Sequence, residues 1–251
     1  MTSIFKNLYK QNPLIPKDHH HSPTDDGSFT FKSLMFDENC HSTAGAIEET
    51  LYNYIDGTGV NNLSENKTTI FEVGLGLGMG PIVSFIEASR QGKKLDFYSC
   101  EIQEDLIYWL KENVSDEVNE IFPFHSLKKV NNDYWQGTGM LGSLTIFIGD
   151  ITSKQDLVLE LLQNKVHKIF QDPFSPKKNP DLWSLEWFQF LLKLTSPTCT
   201  LATYSAGHRI RKNLLDSGFY VYSKKGFGLK RSMTIASTVK LNCHSLTFWE
   251  N

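Results

Sequence analysis

A glycine-rich turn between an apolar strand and a helix-like stretch is the feature that most constrains how this chain folds. Residues 71–80 read FEVGLGLGMG, with glycine at every second position from Gly74 to Gly78. Glycine allows backbone conformations and close approaches that a side chain forbids, and backbone N–H groups at such a turn can face a bound nucleotide. The turn therefore favours a site for a nucleoside-containing cofactor.

An acidic residue follows at the end of the next predicted strand. Residues 95–100 are largely apolar and lead into Glu101, where a carboxylate can accept hydrogen bonds from both hydroxyls of a ribose. Folds that bind NAD, FAD or S-adenosylmethionine all combine a glycine turn with a downstream acid. The two features predict a nucleoside cofactor and leave its identity open among these three.

The composition fits one large domain, or one domain with an arm. The chain has 251 residues, 40% of them hydrophobic, and a formal net charge of −3, so any contact with nucleic acid must come from a local basic patch. Four separated cysteines without a CxxC pair indicate reduced thiols. The N-terminus has no long apolar core, and no stretch approaches about 18 apolar residues. We therefore expect a cytoplasmic protein that makes no membrane contact.

The chain is predicted to divide into two parts. Residues 1–66 form an N-terminal arm that packs on the active-site face, and residues 67–251 form the main domain. Within the arm, residues 29–35 are predicted to form a strand and residues 44–55 a helix. The histidine run at residues 19–21 lies among Lys, Asp, Ser and Pro, which favours a solvated loop over a metal site.

From residue 68 onward, predicted strands and helices alternate. Such alternation is typical of parallel strands with helices on both faces of a sheet. Residues 115–143 do not fit the alternation and are interpreted as an insertion before the third strand. Strands are predicted at residues 69–73, 95–100, 144–149, 166–171 and 198–204, and helices at residues 81–91, 103–113, 153–164, 184–194 and 207–217.

Two further strands, at residues 220–224 and 232–238, follow without a helix between them. Their short link, which contains glycine, predicts an antiparallel hairpin. Five parallel strands closed by such a hairpin are typical of class I methyltransferases, whereas a dinucleotide dehydrogenase usually keeps its last strands parallel. The predicted fold class is therefore α/β and Rossmann-like, with a mostly parallel sheet, an antiparallel C-terminal hairpin and an N-terminal arm.

Acidic residues stand at the ends of three successive predicted strands. They are Glu101, Asp150 in IFIGD and Asp172 in KIFQDPFSP. Ligands of open parallel sheets bind at the carboxyl ends of the strands, so we expect Glu101 to hold a ribose and Asp150 to accept a hydrogen bond from an adenine amino group. Asp172 would face the reactive group. A helix N-cap is the alternative role for each of them, and it stays open for Asp150.

The proline-rich segment after the fourth strand carries the first resemblance to a known family. Residues 172–183 read DPFSPKKNPDLW, and the prolines stiffen the segment. Phe174 and Trp183 can supply apolar walls, while Ser175 and Asn179 can supply hydrogen bonds. The run is similar to the DAFSPxKNPxxW signature of the MnmC-type tRNA methyltransferases.

Further blocks resemble that family in the same order across residues 26–233. DGSFTF, HSTAGA and FEVGLGLG look like the family's DGSxTL, HSxxGA and ExGFGTG, and LATYSAGHRIRKNLLDSGF and KGFGLKRSM match two later blocks. The sequence departs from the family pattern at four positions. Cys40 stands in place of a tyrosine, Leu77 in place of a threonine, Gly80 near a usual asparagine, and Pro173 in place of a small residue.

The resemblance implies a class I enzyme that uses S-adenosylmethionine to methylate the exocyclic amine of 5-aminomethyl-2-thiouridine at the tRNA wobble position. Asp172 would be the catalytic residue, the anticodon stem-loop the binding partner, and no metal would take part. The predicted cofactor-binding residues are Glu72, Gly74, Gly76, Gly78, Glu101 and Asp150. The predicted substrate-binding residues are His41, Ser42, Glu49, Phe174, Ser175, Lys224, Lys230 and Arg231.

Bifunctional members of the family also carry an FAD-dependent oxidase domain. This chain stops at Asn251, so we expect the stand-alone form without that domain. No obligatory protein partner is predicted, although a separate enzyme must supply the aminomethyl uridine.

A local excess of cations supports contact with RNA. Between Ser205 and Ile235, seven basic residues stand against the single acid Asp216. Such clustering can neutralise phosphates while Phe227 or Tyr204 packs near a base. A solvated helix face with an ordinary hairpin tip is the alternative interpretation. The basic residues are Arg209, Arg211, Lys212, Lys224, Lys225, Lys230 and Arg231.

Four other functions remain open at this stage. A methyltransferase acting on a small-molecule amine would share the core without needing the basic patch. An aminopropyl transferase would use a related donor, but the glycine turn lacks that group's GGGDG-like run. A dehydrogenase would bind NAD instead. An RNA-binding module without activity would leave the three acids at the strand ends unexplained.

Overall fold

The computed structural model of the chain describes residues 3–250. Near the N-terminus a 3₁₀ turn, Ser3–Lys6, precedes three antiparallel strands, β1 (His19–Pro23), β2 (Phe29–Ser33) and β3 (Glu38–Asn39), which form a small sheet in that order. Helix α1 (Ala46–Thr50) continues into one π-helical stretch, Leu51–Asp56, and a 3₁₀ turn, Val60–Asn62, follows. The predicted helix at residues 44–55 therefore exists, with an irregular second half.

The histidine run departs from its prediction. Residues 19–21 lie in β1 rather than in a solvated loop, and His19 pairs with Ser33 of β2. The His19 side chain is buried, and its ring lies 5.8 Å from the ring of Phe31. Among residues 3–250, no group of three or more His, Cys, Asp or Glu side chains could hold a metal ion.

The remaining chain forms a ten-stranded sheet flanked by helices. Short 3₁₀ turns at Phe124–Ser126, Ile151–Lys154 and Pro180–Trp183 connect some of the elements. The strands are β4 (Lys67–Val73), β5 (Lys94–Glu101), β6 (Lys128–Lys129), β7 (Tyr134–Gly139), β8 (Gly142–Ile148), β9 (Val166–Gln171), β10 (Thr195–Thr203), β11 (Tyr220–Lys225), β12 (Ser232–Ser237) and β13 (Thr247–Phe248). The helices are α2 (Met79–Gln91), α3 (Glu104–Asn113), α4 (Asp116–Ile121), α5 (Gln155–Leu162), α6 (Leu185–Leu194) and α7 (His208–Asp216).

The sheet has a parallel centre with antiparallel margins. Its strand order is β13-β11-β12-β10-β9-β4-β5-β8-β7-β6, and β10, β9, β4, β5 and β8 run parallel. The chain leaves β4 toward β5 on one side and later returns to β9 on the other, so the strand order reverses between β4 and β9. Ligands bind at such a reversal, beyond the carboxyl ends of the strands.

The fold prediction is confirmed, and the structure adds detail in the middle of the chain. β11 and β12 form the expected antiparallel hairpin, and β12 pairs antiparallel with β10. Residues 115–143, interpreted as an insertion, lead up to β8, the third parallel strand along the chain, and add α4 and two strands that extend the sheet edge beside β8. The alternation rule missed them because a short antiparallel extension needs no crossover helix.

The core lies on both faces of the sheet. One buried cluster joins Phe85 of α2 and Phe97 of β5 to residues from the N-terminal part, including Phe31 and Tyr54. A second cluster lies on the other face, under α5, α6 and α7. The described N-terminal residues share the first cluster with the sheet, so this cluster does not separate the two predicted parts. The division of the chain at residue 66 stays a prediction. None of the helices within residues 3–250 combines the length and apolarity needed to cross a bilayer.

Candidate active site

The glycine turn after β4 packs directly against the end of β9. Gly74 has a φ of +97°, and a Cβ atom placed there would lie 2.7 Å from the carbonyl oxygen of Asp172. A side chain at this position would clash with fixed backbone, so glycine is required. The N–H of Asp172 in turn donates to the carbonyl of Val73 at 3.1 Å. The turn and the β9 acid are therefore held together by backbone contacts.

Glu101 is fixed at the end of β5 by two backbone donors. The N–H of Gly76 donates to its Oε2 at 3.1 Å, and the N–H of Gln103 donates to its Oε1 at 2.9 Å. The side chain is 8% exposed, and burial raises its pKa to about 7, although the backbone hydrogen bonds oppose the shift. Each oxygen keeps a lone pair for a ligand hydroxyl.

Asp150 has the capping role that the sequence left open. Its Oδ1 accepts hydrogen bonds from the N–H of Thr152 at 2.9 Å and from the Thr152 hydroxyl at 2.8 Å. Both bonds use the same oxygen, and Asp150 also lines the cavity described below. A contact with adenine therefore stays a prediction for this residue, alongside its observed cap.

Asp172 is oriented by a tyrosine from the N-terminal part of the chain. The Tyr54 hydroxyl donates to Asp172 Oδ1. Burial, together with the nearby Glu49 charge, raises the pKa of Asp172 well above its ordinary value, while Tyr54 and Lys230 act in the opposite direction. When ionised, such a carboxylate is a stronger base than an exposed aspartate.

A second carboxylate lies close to Asp172. Glu49 is 6% exposed and accepts from the N–H of Ser42 at 2.7 Å and from Lys230 Nζ at 3.1 Å. The same ammonium group lies 4.7 Å from the centre of the Tyr204 ring, a cation–π contact. Lys230 thus ties the β11–β12 hairpin to α1 at the edge of the site.

The proline segment forms an apolar wall that the N-terminal part braces. The ring of Phe174 stacks on Phe36 at 4.4 Å between centroids, and the indole N–H of Trp183 donates to the Phe174 carbonyl at 2.9 Å. The Ser175 hydroxyl donates to Glu38 Oε2 at 2.7 Å. Ser175 therefore anchors the segment to β3.

One cavity of about 590 Å³ connects these groups, a volume within the range of roughly 300–1,000 Å³ of small-molecule sites. Ten of the predicted site residues line it: His41, Ser42, Glu49, Gly74, Gly76, Glu101, Asp150, Asp172, Phe174 and Lys230. Five others are not part of this lining: Glu72, Gly78, Ser175, Lys224 and Arg231.

Two of the residues outside the lining support the glycine turn instead. Glu72 is 4% exposed and accepts from the Ser99 hydroxyl at 2.6 Å. A Cβ atom at Gly80, near the start of α2, would lie 1.7 Å from Glu72 Oε1. This contact explains why position 80 is a glycine, close to where the family usually has an asparagine. Gly78 caps α2 in a left-handed conformation with φ of 77°.

The basic patch of the sequence analysis needs correction at two positions. Lys224 is 9% exposed, and its ammonium group binds Asp56 at 2.5 Å and the carbonyl of Tyr52 at 3.2 Å. Arg211 is 8% exposed and donates to Thr234. Both side chains donate to acceptors within the protein, so their charges do not contribute to an exposed basic patch. A count of charges along the sequence cannot show which way a long side chain points.

Sequence reasoning missed Tyr54 and gave Tyr204 only a general role in packing near a base. Tyr204 donates to the carbonyl of Pro173 at 3.0 Å and lies in the LATYSA block, so the resemblance was a usable signal for it. Tyr54 lies in the π-helical stretch, and helical periodicity does not mark it as different from any core tyrosine.

His41 is partly buried next to a threonine. Its Nδ1 lies 3.3 Å from the Thr30 hydroxyl oxygen, and burial lowers the pKa of the His41 ring, which favours its neutral form.

Comparison with known proteins identifies the family. A family model described as an S-adenosyl-L-methionine-dependent methyltransferase matches residues 112–239. The chain belongs to this methyltransferase family. The match confirms the predicted enzyme class and cofactor. The parallel sheet and the antiparallel C-terminal hairpin of the structure confirm the predicted fold class.

Individual relatives agree with the assignment. The methyltransferase is 31% identical over 249 residues to a protein from Legionella pneumophila (strain Lens) called tRNA 5-methylaminomethyl-2-thiouridine biosynthesis bifunctional protein MnmC; the match covers 85% of this chain and 37% of the relative. The chain thus spans well under half the length of that relative. The crystal structure of MnmC2 from Aquifex aeolicus matches with a TM-score of 0.72 and 28% identity, covering 92% of this chain and 72% of that one.

A spermidine synthase from Thermotoga maritima matches with a TM-score of 0.54 at 12% identity, over 93% of this chain and 78% of that one. At that identity the likeness shows the fold alone.

The residues of the cavity fit S-adenosylmethionine. The two Glu101 oxygens are fixed by backbone donors and retain acceptor capacity for a ribose. A Cβ at Gly76 would lie 3.6 Å from Cys40 and 3.8 Å from His41, both in the cavity wall, so a side chain there would occupy ligand space. We propose that Gly74, Gly76 and Glu101 hold the nucleoside end of the cofactor.

The affinity for S-adenosylmethionine is expected to fall as the pH drops below about 7. Protonation of Glu101 removes its charge and one of its acceptor sites. Since the raised pKa lies near neutrality, the carboxylate form proposed to bind the ribose is lost in this range. Well below this pKa, the affinity is expected to fall by about tenfold for each pH unit. Titration calorimetry across about pH 6 to 8 measures it; an affinity that does not change with pH would exclude Glu101 as the ribose acceptor.

Proposed function

We propose that this methyltransferase transfers a methyl group to the exocyclic amine of 5-aminomethyl-2-thiouridine at the wobble position of tRNA. The observation that carries the proposal is the single cavity that contains both Glu101 and Asp172. Glu101 suits a ribose, and Asp172, whose raised pKa makes its carboxylate more basic than an ordinary aspartate, suits an amine. The similarity to MnmC proteins, whose name describes this modification, supports the same substrate.

The amine must be neutral to attack a methyl group. An ordinary alkylamine has a pKa of about 10.4, so its neutral form at pH 7 costs about 4–5 kcal/mol. Burial in the cavity lowers the pKa of the amine, and a nearby carboxylate raises it. We therefore assign Asp172 the role of orienting the amine and accepting its proton as the methyl arrives. Because Tyr54 engages Oδ1, Oδ2 is the oxygen that accepts.

S-adenosylmethionine supplies the electrophilic methyl group when bound. The chain contributes mainly position: Gly74, Gly76 and Glu101 hold the nucleoside end, and Phe174 and Tyr204 wall the acceptor end. Most of the acceleration would come from holding the reacting groups in line, since well-oriented reactants save roughly 7–11 kcal/mol.

The rim of the cavity suits the RNA backbone. Lys178 and Lys230 line the cavity and are exposed at its edge. Lys177 and Arg231 are exposed and directly adjacent to them in sequence, and Lys225 is exposed at the end of β11. These cations stand in a protein of net charge −3, so the attraction for phosphates is local. Anticodon loops are single-stranded, and extracting a base costs only a few kcal/mol.

Methyl transfer from tritiated S-adenosylmethionine to tRNA tests the proposed function. With tRNA from a strain that lacks this activity, we expect label in the tRNA, and nucleoside mass spectrometry should show 5-methylaminomethyl-2-thiouridine. A transcript of the same tRNA without modified uridine is the control and should stay unlabelled. Label that appears only in small amines, or in the unmodified transcript, would contradict the proposal.

A further inference from the structure

An apolar side chain stands fully exposed beside the cavity. The tip of the β11–β12 hairpin, residues 226–231, carries Leu229 at 104% relative exposure. The next residue, Lys230, lines the cavity. Single exposed apolar side chains are common on protein surfaces, and Met140 is another at 88%. Met140 lies in the turn between β7 and β8, in the uncharged run GTGMLGS, so it offers a comparison.

The hairpin tip is held in place rather than loose. The Tyr52 hydroxyl donates to the carbonyl of Lys225 at 2.9 Å, and the N–H of Lys230 donates to the carbonyl of Phe227 at 3.1 Å. Gly228 adopts a left-handed conformation, and a Cβ there would lie 3.5 Å from Ala44. Because the backbone is already ordered, presenting Leu229 to a partner costs little conformational entropy.

The charges around Leu229 favour one kind of partner. Lys230 and Arg231 are exposed on the same tip, and Lys225, the last residue of β11, is exposed beside it, which places an apolar group among cations. Single-stranded nucleic acid has the complementary chemistry, because its bases offer flat apolar faces and its phosphates are anionic.

We propose that Leu229 is a wedge that packs against the bases flanking the target uridine and fills the gap left when that uridine enters the cavity. This proposal rests on the proposed function. Proteins that open base steps often insert apolar side chains, leucine among them, between neighbouring bases. Without a wedge, the flanking bases can restack and compete with extraction of the target.

A synthetic anticodon stem-loop RNA tests the wedge. It carries 5-aminomethyluridine at the target position and 2-aminopurine, whose emission rises on unstacking, at the next nucleotide. We expect Leu229→Ala to bind about tenfold more weakly, the effect of losing one leucine contact, with little rise in emission. Leu229→Phe should restore both, and Met140→Ala should behave as the unsubstituted enzyme.

The salt dependence separates the wedge from the charges around it. Leu229→Ala should keep the slope of log affinity against log salt, whereas Arg231→Ala should reduce it by about 1. If Leu229→Ala binds and unstacks the RNA like the unsubstituted enzyme, the wedge is wrong while the proposed function stands. If the unsubstituted enzyme neither binds the stem-loop nor methylates it, the proposed function fails and the wedge fails with it.

Discussion

Replacing Asp172 by asparagine is expected to lower kcat by about 10²–10⁴-fold, the range for loss of a proton-transfer group, with S-adenosylmethionine affinity retained. Asparagine keeps the shape of the side chain and an oxygen that can accept from Tyr54, which donates to Oδ1. It cannot accept a proton from the amine. Single-turnover methylation of tRNA measures the loss, and titration calorimetry measures the affinity.

Asp156→Asn is the matched control, because Asp156 is an exposed acid in the first turn of α5. It should leave both turnover and affinity unchanged. Near-normal turnover in Asp172→Asn would remove Asp172 from the mechanism. A loss of affinity that equals the loss of turnover would instead place Asp172 in binding of the methyl donor.

Replacing Glu101 by glutamine should weaken binding of S-adenosylmethionine roughly 10- to 100-fold, the effect of losing a hydrogen bond to a charged acceptor. Gly76 and Gln103 aim N–H groups at the two carboxylate oxygens. In glutamine one oxygen becomes an NH₂ group, which faces one of these donors. The substitution should also abolish the decline in affinity below about pH 7, because no titrating group remains.

Glu160→Gln, on the exposed side of α5, is the control for Glu101→Gln. It should change neither the affinity for S-adenosylmethionine nor its pH dependence. If Glu101→Gln binds the donor as tightly as the unsubstituted enzyme, the donor's ribose lies elsewhere. If the affinity drops but the decline below neutral pH persists, another group controls that decline.

The sequence predicted the half of the site that lies on the sheet. Glu101 and Asp172 end parallel strands, and such ends meet at one edge of a sheet, so their approach follows from strand assignment alone. The glycine turn could be placed for the same reason. The roles given to these residues remain predictions that the substitutions above test.

The half of the site that the N-terminal part contributes was harder to predict. Tyr54 lies in the π-helical stretch Leu51–Asp56, where the helical register differs from that of an α-helix, so its contact with Asp172 could not be read from periodicity. The family resemblance did mark His41 and Glu49. It could not show that Glu49 binds Lys230, since that contact joins residues far apart in the chain.

The orientation of side chains and the pairing of strands could not be predicted from the sequence either. Lys224 and Arg211 counted toward a basic patch, yet both bury their charges against internal acceptors. The histidine run at residues 19–21 was polar enough to predict a loop, yet it pairs with β2. Composition determines neither pairing nor orientation, because both depend on partners that are distant in sequence.

A crystal structure of the protein with S-adenosylhomocysteine and an anticodon stem-loop bearing 5-aminomethyluridine tests the central claim most directly. We expect the ribose on Glu101 and the aminomethyl nitrogen within hydrogen-bond distance of Asp172 Oδ2, both inside the one cavity. A nucleoside bound away from Glu101, or an Asp172 side chain turned away from the nitrogen, would contradict the account.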